Sequence, residues 1–100
     1  MKIDTTINNG KVIVDLGGSM YVEEAAILRE NLIAFMETGH KDFIIKLHKV
    51  DYIDSSGLGV LVAIQKRALQ LKGCVTLAGA QGSVKELFEL TRLNKVFSME

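Results

Sequence analysis

The sequence has no proline, one cysteine, no excess of either charge and no long apolar run. Without proline, and with a hydrophobic fraction of 48%, neither a Pro-rich linker nor a disordered tail is indicated. A single cysteine, Cys74, excludes an internal disulfide and leaves no CxxC pair for zinc. It is expected to be a small apolar core residue in a reducing compartment. Twelve basic and twelve acidic residues cancel to a formal net charge of zero, and no Lys/Arg cluster forms a stripe. Nucleic acid and anionic membrane, which need a positive footprint, are therefore not expected partners, and a protein partner is. Met1-Lys2-Ile3-Asp4-Thr5-Thr6 has no signal-peptide character, and the longest apolar run falls far short of a membrane span, so a cytoplasmic location is expected.

What is present suits one compact domain over residues 1–100 with a single sheet-and-helix core. Ile3 to Ile7 and Val12 to Leu16 are β-prone runs joined by Asn8-Asn9-Gly10, whose Asn-Gly pair favours a tight hairpin turn. Gly17-Gly18 is expected to end the second strand. Tyr21 to Glu37 then has helical period, with Tyr21, Ala25, Leu28, Leu32, Phe35 and Met36 on one stripe and Gly39 at a left-handed C-terminal position. Ala26, Ile33 and Ala34 fall among the outward acids of this helix, an apolar excess that makes Tyr21, Ala26 and Ile33 candidate partner contacts.

Asp42 to Leu47 is nearly continuous in apolar residues, as a central strand covered on both faces should be. A second amphipathic helix follows, with Leu58, Val60, Leu61, Ile64, Ala68 and Leu71 on one side and Gly59, Ala63, Lys66, Arg67 and Gln70 on the other. Gln65 falls inside the apolar arc, where it needs a hydrogen-bond partner at the edge of the core. Gly73 closes this helix and Cys74 to Ala78 reads as a short buried strand. Ser83-Val84-Lys85-Glu86 has capping-box spacing ahead of Leu87, Phe88 and Leu90. Lys95-Val96-Phe97 is a final half-strand or a tail. Strands separated by crossovers too long for hairpins imply parallel pairing. The expected fold is α/β: a mixed sheet of four or five strands, an antiparallel N-terminal hairpin followed by parallel strands, with three to four helices.

The most informative stretch is Val50 to Leu61, where a strand gives way to a helix at Asp54-Ser55-Ser56-Gly57-Leu58-Gly59. Backbone N–H groups at a helix start are unsatisfied and carry partial positive charge, so a serine there can cap the helix, and a phosphate would be held by the same donors. Gly57 and Gly59 remove bulk beside the hydroxyls and allow close approach.

Catalytic readings of this stretch fail on spacing. A nucleophile elbow needs glycine two before the serine, but Ile53 and Asp54 stand there. His40 and His48 fall away from the serines and read as surface residues. Gly57-Leu58-Gly59 lacks the third glycine of a dinucleotide turn, which would fall at Val62, and no P-loop ending exists. Asp51 and Asp54 find no third ligand in the segment, so no metal is expected. No cofactor and no enzymatic activity are expected either, and the remaining role for the serine is as a substrate.

At these residues the chain resembles the STAS domain family in its anti-sigma-factor-antagonist branch. The likeness rests on Asp54-Ser55-Ser56-Gly57-Leu58-Gly59-Val60, on Leu28-Arg29-Glu30 and on Lys85-Glu86-Leu87-Phe88-Glu89-Leu90. The resemblance implies a partner switch. The unphosphorylated protein binds an anti-sigma factor, itself a serine kinase of the histidine-kinase-like ATPase superfamily, and so frees a sigma factor. The kinase phosphorylates the first serine, here Ser55, a PP2C-type phosphatase restores it, and Ser56 is the cap neighbour. Asp54, Ser56, Gly57, Leu58, Gly59 and Ala63 would then form the motif and partner contact. The chain departs from the family pattern at Gly18-Ser19-Met20-Tyr21, where many phosphorylated members carry Gly-Glu-Ile/Leu-Asp, and at Lys46, commonly an acid or Asn. The alternatives are a STAS module acting on a non-sigma partner (a phosphatase, a signalling complex or a lipid-transport assembly) and a small-molecule binder using the helix start.

Overall fold

Asn9 (φ 54°) and Gly10 (φ 79°) both take left-handed backbone, the requirement of a two-residue hairpin turn. They fold β1 (Lys2–Asn8) antiparallel onto β2 (Lys11–Met20). In this computed structural model, which describes residues Met1–Glu100, the chain continues through α1 (Val22–Glu37), β3 (Asp42–Ile53), α2 (Ser55–Gln70), β4 (Cys74–Ala78), α3 (Gly82–Leu90), a 3-10 turn at Leu93–Lys95 and β5 (Ser98–Met99). The strands form one sheet in chain order, antiparallel only at β1–β2 and parallel from β2 to β5. This is the expected mixed α/β sheet, with five strands and three α-helices.

Alternation along the strands sets the layers. Val12, Val14 and Leu16 of β2, Phe43, Ile45 and Leu47 of β3, and Val75 and Leu77 of β4 are fully buried, and they share one core with Leu28 and Leu32 of α1 and Leu61 and Ile64 of α2. The intervening residues Ile13, Ile44, Lys46 and Thr76 face the other way and are only half-buried. The continuous apolar run of β3 therefore does not mean cover on both faces. Its second face is a half-exposed row, which Lys46 can join without being sealed from water.

Several local expectations change. The Gly17-Gly18 pair does not end β2. The strand runs on to Met20 through two register shifts against β3, at Asp15/Gly17 and Gly18/Ser19, and Gly18 (φ 98°) supplies left-handed backbone there. Tyr21 does not belong to the buried stripe. It is the N-cap of α1 and 53% exposed, with the Glu24 carboxylate accepting from its backbone N–H at 2.9 Å. Ile33 is half-buried and packs against the core instead of facing out with Ala26 and Ala34. Gly39 (φ 99°) ends α1 as expected: its N–H donates to the Met36 carbonyl and the N–H of His40 to that of Phe35.

Leu71 and Leu90 are exposed, because each sits at a helix end beyond the reach of the sheet. Cys74 is exposed at the start of β4, on the row facing away from the helices, and is not a core residue. The capping box at Ser83 does not form. Gln81 is the N-cap, Gly82 (φ 58°) opens the helix, and the Gln81 side chain instead donates to the His48 carbonyl at 2.9 Å. His48 is exposed and His40 half-buried, its Nδ1 within 3.3 Å of the Phe35 carbonyl. Gln65 is the buried polar side chain of the core. Its Oε1 accepts from the Val75 N–H at 2.8 Å, and its Nε2 donates to the Val96 carbonyl at 2.8 Å. One amide thus ties the edge of β4 and the C-terminal segment to α2, while Phe97 packs edge-on against Phe88.

Candidate functional site

α2 begins where β3, the middle strand, stops. Met20 pairs with Ile53, and the Asp54 N–H then donates to the Met20 carbonyl at 3.1 Å, carrying the β2–β3 ladder one step past the sheet. That step fixes Asp54 as the N-cap. Its backbone is extended and its Oδ1 accepts from the Gly57 N–H at 3.1 Å, while its carbonyl accepts from the Leu58 N–H. The cap is therefore the aspartate and not a serine. Ser55 and Ser56 occupy the first two helical positions, with Ser55 exposed and Ser56 half-buried. Released from capping, the Ser55 hydroxyl stands at the positive end of the helix, open to solvent.

The two glycines of the motif have opposite roles. Gly57 is buried, and a Cβ there would lie 2.7 Å from both Ile53 Cγ2 and Met20 Sδ. It lets α2 seat on the ends of β2 and β3 and offers nothing to a partner, contrary to its expected place in the contact surface. Gly59 is exposed, and a Cβ added there would meet nothing within 4 Å. Ser55, Gly59 and Ala63, at i, i+4 and i+8, make one exposed ridge of small residues that continues into Lys66, Arg67 and Gln70, while Leu58 is half-buried beneath it. Gly57→Ala should lower stability by about 1–3 kcal/mol through overpacking. Gly59→Ala should raise it by roughly 0.5–1 kcal/mol through helix propensity. Urea midpoints shifting in the same direction for both variants would contradict this division.

Beside the helix start Tyr21, an expected contact residue, pairs with Tyr52, which is absent from the sequence-based site. The rings of Tyr21 and Tyr52 stack with centroids 5.3 Å apart at 37°, and they are 53% and 47% exposed. Register explains the contact, since Ser19 pairs with Tyr52 and Met20 with Ile53, bringing the end of β2 against the end of β3. Val22 and Ile27 of α1 are also exposed, at 62% and 53%, so the apolar excess of that helix is real but shifted from Ile33. The signal for Tyr52 was a large aromatic between Asp51 and Asp54 at a strand end. None of the surface concavities is lined by residues 54–60, so the hydroxyl sits on an open face and not in a cleft.

Fold and site together define a small α/β interaction module that presents a serine at an exposed helix start. The chain belongs to the STAS domain family, on the branch of the anti-sigma factor antagonists: the STAS domain profile matches residues 2–100. It is 31% identical over 99 residues to the anti-sigma-B factor antagonist of Bacillus subtilis, covering 99% of this chain and 90% of that protein. Among solved structures, an anti-sigma factor antagonist from Mycobacterium paratuberculosis shares the fold at a TM-score of 0.87 with 20% identity, over 98% of this chain and 83% of that one. The Bacillus cell fate determinant SpoIIAA in its phosphorylated form does so at 0.81 with 15% identity, over 99% and 91%. No helix here is long and apolar enough to cross a membrane.

Proposed function

We propose that this chain antagonises an anti-sigma factor by partner switching, with Ser55 as the switch. Unphosphorylated, it docks the ridge of Ser55, Gly59 and Ala63 on an anti-sigma factor that is also a serine kinase, and a sigma factor is released. Phosphorylation of Ser55 breaks the contact, and a PP2C-type phosphatase restores it. The observation that carries this reading is the exposed hydroxyl of Ser55 at the first position of α2, with capping left to Asp54. A modifying enzyme can reach it without unfolding the domain, and a phosphate there meets the helix dipole. Support also comes from SpoIIAA, a fold relative solved in phosphorylated form, and from the relatives named anti-sigma-B factor antagonist.

Incubation with a cognate ATPase-type anti-sigma factor and ATP should add one phosphate that mass spectrometry locates on Ser55. A phosphate found only on Ser56 or elsewhere sinks the assignment. Tyr21, standing where many phosphorylated members carry an acid and paired with the exposed Tyr52, favours a second reading: the same module acting on a non-sigma partner such as a phosphatase, a signalling complex or a lipid-transport assembly. Release of sigma-dependent transcription in a reconstituted assay separates the two.

A further inference from the structure

β1 is the outer strand of the sheet and pairs only with β2. The hairpin has two turn residues, so its closing pair, Asn8 and Lys11, is hydrogen-bonded, and so are Thr6 with Ile13, Asp4 with Asp15 and Lys2 with Gly17. The alternation turns the backbone N–H and C=O groups of Ile3, Thr5 and Ile7 outward to the free edge. Two of the usual guards are absent, since β1 contains no proline and no bulge interrupts its register with β2, and its two charged residues, Lys2 and Asp4, lie 3.8 Å apart as an ion pair on the strand's first half.

The outward residues read the same in both directions, Ile-x-Thr-x-Ile centred on Thr5. An antiparallel copy related by a two-fold axis through Thr5 sets Ile3 against Ile7 of the second copy and Thr5 against Thr5. Each of these pairs exchanges two backbone bonds, so every outward group is satisfied. Lys2 then faces Asn8 and Asp4 faces Thr6, so no like charges are opposed across the axis. The side chains of Ile3, Thr5 and Ile7 lie on the helix-covered face, opposite Leu16, Val14 and Val12. There an open groove of about 360 Å³, lined by Ile7, Ala34, Phe35, Thr38 and His40, borders the same edge. Ile7 is 53% exposed, and Ile3 of the second copy would sit beside it at the mouth of that groove.

We propose that two copies of this chain associate through β1, making one continuous sheet across the pair. The occupant is a second copy because the hydrogen-bonding pattern and the side-chain row repeat under the same two-fold axis with no like charges opposed. Ser55 follows β3, two strands in from this edge, so both phosphoacceptor faces stay free in the pair. The test is sedimentation velocity on the full chain from micromolar to millimolar concentration. The wild type should show a concentration-dependent dimer. Thr5→Lys sets two ammonium groups face to face on the axis and should leave only monomer. Thr5→Pro removes an outward N–H without touching the β1–β2 ladder, a substitution edge strands tolerate, and should do the same with its circular dichroism unchanged. A wild type that stays monomeric throughout, or a dimer that survives in both variants, overturns the proposal; if Thr5→Pro fails to fold, Thr5→Lys alone decides.

Discussion

Replacing Ser55 by aspartate is expected to weaken binding to the anti-sigma partner by about 100-fold, or roughly 2.7 kcal/mol, while Ser55→Ala binds as tightly as the unmodified protein. The reason lies in what surrounds the hydroxyl. It heads a ridge of Gly59 and Ala63, both exposed, whose small size would let a docked partner's surface come close and exclude water. Asp54, one residue away, is already a carboxylate. The first cation along the ridge is Lys66, eleven residues on, a separation of roughly 16 Å along the helix and beyond the ~8–10 Å over which exposed charges act at physiological salt. A charge introduced at Ser55 therefore has no cation within reach on its own helix, and docking would bury it unpaired at a cost of several kcal/mol. Phosphate, at about −1.5 to −2 charges, should act more strongly than aspartate.

The fold should register little of this. A negative group in the first turn gains about 0.3–1 kcal/mol from the helix dipole, and repulsion from Asp54 offsets part of that gain. Titration calorimetry against the purified partner, with thermal melts of both variants, reads both effects. Equal affinities for Ser55→Asp and Ser55→Ala would end the charge-switch explanation.

Gly73→Ala is expected to produce the largest loss of stability, about 3 kcal/mol, which corresponds to a fall in melting temperature of roughly 12–24 °C for a domain of this size. Gly73 stands just before β4 and Lys41 just before β3, and the two strands open together with Asp42 paired to Cys74. A Cβ at Gly73 would run into the Lys41 carbonyl oxygen and sit 2.6 Å from its carbonyl carbon. Backbone cannot swing aside as a side chain can, so the strand starts must separate. The Asp42 carboxylate, which accepts from the Cys74 N–H at 3.3 Å, would lose that bond as they part. Since such domains are stable by only about 5–15 kcal/mol in total, thermal denaturation should show the change clearly. A midpoint within a degree of the wild type would mean that the two backbones are not in contact.

Gly73 shows what was legible and what was not. As a helix terminator it was evident from its place after an amphipathic run, but the left-handed residue that ends α2 is Lys72 (φ 67°). Gly73 is required by a neighbour thirty-two positions away, and no local rule reads that distance. Gly57 is a similar case: the motif announces a glycine, yet only the seating of α2 on Met20 and Ile53 shows that it faces inward while Gly59 faces out. The cap moved from serine to aspartate because the β2–β3 ladder runs on to the Asp54 N–H, which shifts the helix start by one residue relative to the motif. Cys74 left the core for a related reason, since side chains alternate at period two and β4 begins on the outward row.

By itself the sequence determined the class of fold, the order of its elements, the hairpin turn, the core stripe of α2 and the segment that carries the family likeness, because these depend on periodicity, turn chemistry and spacing within a few residues. Only the tertiary structure decided which motif residue caps and which is free, which glycine is packed and which is open, that Tyr21 and Tyr52 meet, and that a palindromic strand edge borders an apolar groove. Those outcomes depend on strand register and on backbones brought together from distant parts of the chain, and both are set only when the sheet closes.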